Sequence, residues 1–414
     1  MKTRRLFLTL SLLVAGLPGA AFAQRPAQEE LVWPLPPEPP KIRYVGQLQS
    51  EADIGKTVGF FTKLKNMLAG TQSSVLGLQR PFDVYVDGGT RFFVADGARG
   101  KGVLFNADTR SAKIIGEGGL GNLRKPMGLG GDRQGRVYVA DASGARVVAF
   151  DRDGAYVGAY GGESMLLNPV DVAVDPDRGR LYVVDSYLHQ VVAFSIETGD
   201  VLFRIGKDED DLAAKRTYLR GRWRGGVPLA GGHERGEVED TTHAGTEPSD
   251  LVLNRGSGPG EFRYPGYAAV APDGTLYVTD QLNFRVQAFT PEGEFIRQIG
   301  RIGRTPGSFS RPKGVAVDTE GHIYVADALF NNIQIFNAEG QLLLVFGNVG
   351  TGEGELYMPL GVQIDERDRI YVADRYNNRI QVYQFLGAED SATDAAPASS
   401  ADTAGVRGPA GSGS

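Results

Sequence analysis

The sequence predicts an all-β fold, a closed ring of six similar four-stranded units, and two observations carry that prediction. The first is a block that recurs six times, clearest as Ile370-Tyr371-Val372-Ala373-Asp374-Arg375-Tyr376-Asn377-Asn378-Arg379-Ile380-Gln381-Val382-Tyr383, with earlier copies ending their apolar run at Asp96, Asp141, Asp185, Asp280 and Asp327. The second is spacing: successive Asp residues lie 45, 44, 95, 47 and 47 positions apart. A period in the forties with about four short strands per unit is that of a β-propeller blade.

The elements follow in chain order. Met1 to Ala23 has a basic start at Arg4 and Arg5, an apolar run from Leu6 to Leu17 and a small-x-small site at Ala21-Phe22-Ala23, the pattern of a cleaved export signal. Thr3-Arg4-Arg5-Leu6-Phe7-Leu8 is similar to a twin-arginine signal, but Thr9 stands where that signal has Lys, so the general secretory route is the expectation. The product would be periplasmic or secreted, with no transmembrane segment in the mature chain. Residues 24–40 are polar and Pro-rich, the composition of an extended polyproline arm. Residues 41–77 should hold an alternating strand, Lys41 to Leu48, and a short rim helix from Phe60 to Gly70.

The blades occupy 78–387. Each opens on a Pro: Pro81, Pro126, Pro169, Pro265, Pro312 and Pro359. An inner strand of the Gly314–Asp318 type, a Gly turn, an Ile323–Asp327 strand, an Ile333–Phe336 strand and a Leu342–Phe346 strand then complete one unit. Both alternating positions of the inner strands are apolar, as expected of sheets covered on both faces. The last blade lacks a fourth strand, and Lys41 to Leu48 should supply it, closing the ring and removing an open edge. The long step leaves a charged, Gly-rich surplus at 207–255 with no strand pattern. An inserted loop is expected there, a degenerate seventh blade being the alternative. It would emerge on the face where inner strands begin, called the front face below. Residues 388–414, rich in Ala, Ser, Asp and Gly, are expected to be a disordered tail.

Composition narrows the function classes. There is no cysteine, which excludes thiol chemistry and lipid acylation, and the formal net charge of −6 argues against a nucleic-acid partner.

The pattern Pro-x-Gly-Val-Ala-Val-Asp, then Gly-x-Ile-Tyr-Val-Ala-Asp, then Asn-x-Arg-Ile-Gln-Val-Phe resembles the NHL repeat. Pro312 to Phe336 and Pro359 to Tyr383 match closely, Pro265 to Phe289 through Asn283 and Arg285, and the first three blades more loosely. The resemblance implies a six-bladed NHL-like propeller over about 78–385. It is uninformative on activity, because this fold hosts lyases, lactonases, sensors and RNA binders.

The Asp ending strand two recurs in every blade, so its role should be structural. Positions that vary between blades are the candidates for function. Two residues after each Pro stand Asp83, Gly128, Asp171, Tyr267, Gly314 and Gly361. Asp83 and Asp171 near a channel mouth fit a hard cation such as Ca2+, and His189 lies in a loop on the same face. NHL amidating lyases use several His as metal ligands. Here the four His are His189, His233, His243 and His322, and no channel ring can be built from them. The front-face loops also present Phe82, Tyr187, Tyr267, Phe284, Phe330 and Tyr376, with Met127, Leu188, Leu282, Lys313, Leu329 and Leu360. Aromatic side chains around a mouth suit recognition of an envelope or extracellular protein, peptide or glycan. A binding or scaffolding module is therefore the first expectation. A metal-dependent lyase or hydrolase at Asp83, Asp171 and His189 is the second.

Overall fold

In the computed structural model, residues 31–35, 38–39, 41–54, 75–206 and 256–387 are described. The export signal, the Phe60–Gly70 helix, the 207–255 insertion and the 388–414 tail lie outside them. Within them are six sheets arranged as blades. The inner strands are Pro81–Asp87, Pro126–Gly131, Pro169–Asp175, Pro265–Val270, Pro312–Val317 and Pro359–Ile364. Each pairs antiparallel with a second strand so that its Pro sits opposite the recurrent Asp, as in Pro312 with Asp327. Second strands such as Val137–Asp141 and Ile323–Asp327 are buried at every position, because a neighbouring blade covers each face.

Blade six is closed from the N-terminus. Ile42–Leu48 pairs antiparallel with Arg379–Phe385, Tyr44 opposite Tyr383 and Leu48 opposite Ile380. The polyproline expectation for the arm is corrected in part. Val32–Trp33 adds a fifth, two-residue strand outside Ile42–Leu48. The physical reason is Trp33: its ring packs against Phe346 and Tyr383 with centroids 5.9 and 5.8 Å away, burial that a free arm would forgo.

The core is divided into six clusters, one at each blade–blade interface. The cluster joining blades six and one, for example, unites Tyr371, Ala373, Ile380 and Val382 with Val84, Phe92 and Val103. Stability is thus spread around the ring, as in other repeat architectures.

The recurrent Asp pins the front-face loops. Asp327 accepts hydrogen bonds from the N–H groups of Ser310 (2.7 Å), Arg311 (3.1 Å), Leu329 (3.0 Å) and Phe330 (3.1 Å), so one carboxylate orders the loop into its blade and the loop out of strand two. Asp374 accepts from Tyr357 N–H at 2.7 Å and also from Asn377 and Arg379 at 2.8 Å. Arg379 in turn donates to the carbonyls of Gly352 and Glu355.

Candidate functional site

Where the residue two after the Pro has a side chain, at Asp83, Asp171 and Tyr267, it lines the channel on the ring axis. Asp83 Oδ2 accepts from Leu129 N–H of blade two at 2.7 Å, and Asp171 Oδ2 accepts from Ala268 N–H of blade four at 2.8 Å. The matching Gly residues make room for these carboxylates. A Cβ on Gly361 would lie 1.9 Å from Asp83 Oδ1, and one on Gly128 would lie 1.8 Å from Asp171 Oδ1. The order Asp, Gly, Asp, Tyr, Gly, Gly is therefore an interlock around the axis. Below it runs a channel cavity of about 180 Å³, walled by the inner strands of all six blades.

Burial raises the Asp83 carboxyl to about 7. Asp171 stands well above the usual carboxylate range, from burial first and the Asp83 charge second. Its Oδ1 is buried without a hydrogen-bond partner. Two buried carboxyls, one raised further by the other's charge, hold protons that water-exposed Asp would have lost.

The front end of the channel is plugged. Phe82 packs against both the blade one–two and the blade four–five cores, so its ring reaches across the axis. Tyr267 is buried, 8% exposed, with its hydroxyl 3.4 Å from the Phe82 carbonyl, which corrects its expected place on the exposed rim. Its side chain follows Asp83 and Asp171 inward because it holds the same register position. Arg375 lies over the plug, its guanidinium carbon 4.8 Å from the Phe82 centroid and 5.3 Å from that of Tyr376. Lys313 from blade five donates to Gln281 Oε1 from blade four. Burial first, then Arg311 and Arg375, lower the Lys313 ammonium to about 8. Three cations thus converge beside the mouth, and Arg375 Nε is buried without an acceptor.

His189 does not join Asp83 and Asp171. It occupies the left-handed turn position (φ 56°) that Asn331 and Asn378 hold in blades five and six. There its Nδ1 accepts from Tyr264 N–H at 3.0 Å. Asn331 accepts from Met358 N–H at 2.8 Å and Asn378 from Arg80 N–H at 2.9 Å in the same way. Each acceptor clasps the residue before the next blade's Pro. His189 is a stand-in for that Asn, with the proton on Nε2. The three-way metal set expected from sequence is therefore reduced to two carboxylates. Among the described residues no group of three or more His, Asp or Glu side chains is placed to hold a metal ion.

The remaining rim residues fall into two sets. Tyr187, Phe284 and Phe330 are half-buried, and Tyr376 is exposed at 43%. Tyr376, Leu329 and Leu282 share one position, two residues after the recurrent Asp, and all three are exposed. In blades one and two the same position holds Ala98 and Ser143. Sequence reasoning missed Tyr357, exposed beside Tyr376 with centroids 5.3 Å apart, and Arg375. A departure from the repeat, Arg and Tyr where blade five has Ala328 and Leu329, was the signal for Arg375.

Comparison with known proteins agrees with this architecture. The family model described as NHL repeat matches residues 166–194 and 356–383, and one described as 6-bladed beta-propeller matches 269–328. A protein of unknown function from Bacteroides thetaiotaomicron superposes with a TM-score of 0.52 at 17% identity, over 83% of this chain and 75% of that one. An auxiliary nutrient binding protein from the same organism gives 0.51 at 13%, over 75% and 70%. At these identities the likeness is one of fold. Among the described residues no helix is long and apolar enough to cross a membrane.

Proposed function

We propose that this six-bladed propeller of NHL repeats is an exported binding module whose front face captures a protein, peptide or glycan of the cell envelope or exterior. One observation supports the reading above others. At the position two after the recurrent Asp only the backbone serves the fold, yet blades four to six place the exposed side chains Leu282, Leu329 and Tyr376 there. An arc of apolar side chains kept in water on a surface otherwise built from repeats is what a partner covers. The plugged channel supports the same reading, since Phe82, one position nearer the front than Asp83, packs across the axis.

The test is photo-crosslinking in the native envelope. A photoreactive residue at Tyr376 should give discrete crosslinked products, while one at Glu320, exposed on the opposite face, should not. Equal yields from the two positions would remove the front-face assignment.

A second reading, a metal-dependent lyase or hydrolase, rests on Asp171 Oδ1, buried in the channel without a partner beside Asp83. These oxygens fit a hard cation such as Ca2+. One tightly held metal per chain, lost in an Asp83→Ala/Asp171→Ala double variant, would favour it over the binding module.

A further inference from the structure

The front face holds its charges unusually. Its carboxylates are turned inward onto loop N–H groups: Asp327 and Asp374 as above, and Glu261 and Glu355 onto Gly258 and Gly352 N–H at 2.9 and 2.8 Å. Arg99, Arg146, Arg285 and Arg379 pair with the recurrent Asp of their own blades, but four other cations do not. Arg80, Arg311, Lys313 and Arg375 make no ion pair with any described residue.

We propose that the mouth between Lys313 and Arg375 binds a side-chain carboxylate of an acidic peptide segment of a partner protein, whose apolar residues lie on the arc of Leu282, Leu329 and Tyr376. The inference rests on front-face capture and adds the chemistry of what is captured.

Three arguments support it. First, Arg375 is held flat by Phe82 and Tyr376, so its N–H edge is fixed rather than mobile, and a fixed guanidinium fork matches a carboxylate. Second, burial above all lowers the Lys313 ammonium, and the nearby charges of Arg311 and Arg375 add to this, with Asp327 opposing them. An incoming anion relieves the repulsion among these cations, so the interaction is stronger bound than free. Third, the cations sit inside an apolar arc. A nucleic acid or a uronate chain would meet the cations but leave Leu282 and Leu329 uncovered, whereas a peptide mixing Glu or Asp with Leu-like residues satisfies both.

The experiment uses the full mature chain and a fluorescent peptide of alternating Glu and Leu, against an alternating Lys and Leu peptide, an oligouronate and single-stranded RNA. The acidic peptide should bind, and Lys313→Gln and Arg375→Gln should each weaken it roughly tenfold, about the effect of one charge-assisted contact. Unchanged thermal melting would show that the variants are folded. Affinity should fall as pH rises past about 8, where Lys313 gives up its proton. Lys313→Arg, which stays charged, should keep binding flat through that range. Binding indifferent to both Gln variants, or confined to the oligouronate or RNA, would overturn the proposal. Crosslinking from Tyr376 in the same variants separates the two levels. Products that persist unchanged in Lys313→Gln and Arg375→Gln would sink the carboxylate mouth alone. Their absence from the wild-type chain would sink front-face capture as well.

Discussion

Arg152 on the back face and Arg311 on the front face are both exposed arginines on loops, and the molecule uses them differently. Arg152 of blade two reaches Asp87 of blade one at 3.1 Å. Its neighbours behave alike: Arg133 pairs with Asp177, Arg180 with Glu292 at 3.4 Å and Arg369 with Asp365 at 2.7 Å. Back-face charges largely cancel in pairs, several of them spanning two blades. Among the described residues Arg311 has no such partner, and the carboxylate beside it, Asp327, spends its oxygens on backbone N–H groups. The front face is thus held by buried carboxylates bonded to loops, and the back face by pairs at the surface. A cation that the fold does not need is one that a ligand can use.

This contrast can be broken in order of effect. Arg379→Ala strips Asp374 of a buried partner and leaves two loop carbonyls short of a donor, so it should cost about 3–5 kcal/mol, read by denaturant unfolding. A loss under 1 kcal/mol would mean that the front-face loops are not held as described.

The channel pair gives a pH test. The Asp83 carboxyl, raised to about 7, keeps its proton where the unfolded chain, at 3.8, has lost it. In the window from about 4 to 7 the folded state binds more protons, so stability should fall as pH rises. Asp83→Asn removes that carboxyl and the charge that raises Asp171, and should flatten the slope while its amide oxygen still accepts from Leu129. A slope unchanged in the variant would assign the pH dependence elsewhere.

His189→Ala should cost roughly 1–2 kcal/mol through the unpaired Tyr264 N–H, and His189→Asn should recover most of it. If Asn behaves like Ala, the stand-in role is wrong. Arg152→Ala should be the mildest, within about 1 kcal/mol and vanishing in high salt. A larger, salt-independent effect would erase the distinction between the faces.

The repeat and its closure were legible because a conserved local pattern, strand ending in Asp and followed by Asn-x-Arg, repeats with a fixed period. The inward register of Asp83 and Asp171 was legible for the same reason. What they bond was not, since Leu129 and Ala268 come from neighbouring blades 46 and 97 residues on. Residue type alone places Tyr267 on the rim, whereas its register places it with the two Asp. His189 suggested metal chemistry as the one His in a front-face loop of the blades. Only the clasp made by Asn331 and Asn378 reveals that its ring nitrogen replaces an amide oxygen. In the arm, Pro content hides the pairing of Val32–Trp33, which follows from the large ring of Trp33 finding Phe346 and Tyr383.

The closing strand has a consequence for how the molecule comes into being. Tyr44 is among the first blade residues made and Tyr383 among the last, yet they stand opposite one another in one sheet. Until blade six is synthesised, Ile42–Leu48 has only the two-residue pairing with Val32–Trp33, and its other edge, which later takes Arg379–Phe385, stays open. The ring therefore cannot lock blade by blade from its beginning. It must wait for its final segment, and through that interval the earliest strand is the part most in need of shielding from other chains.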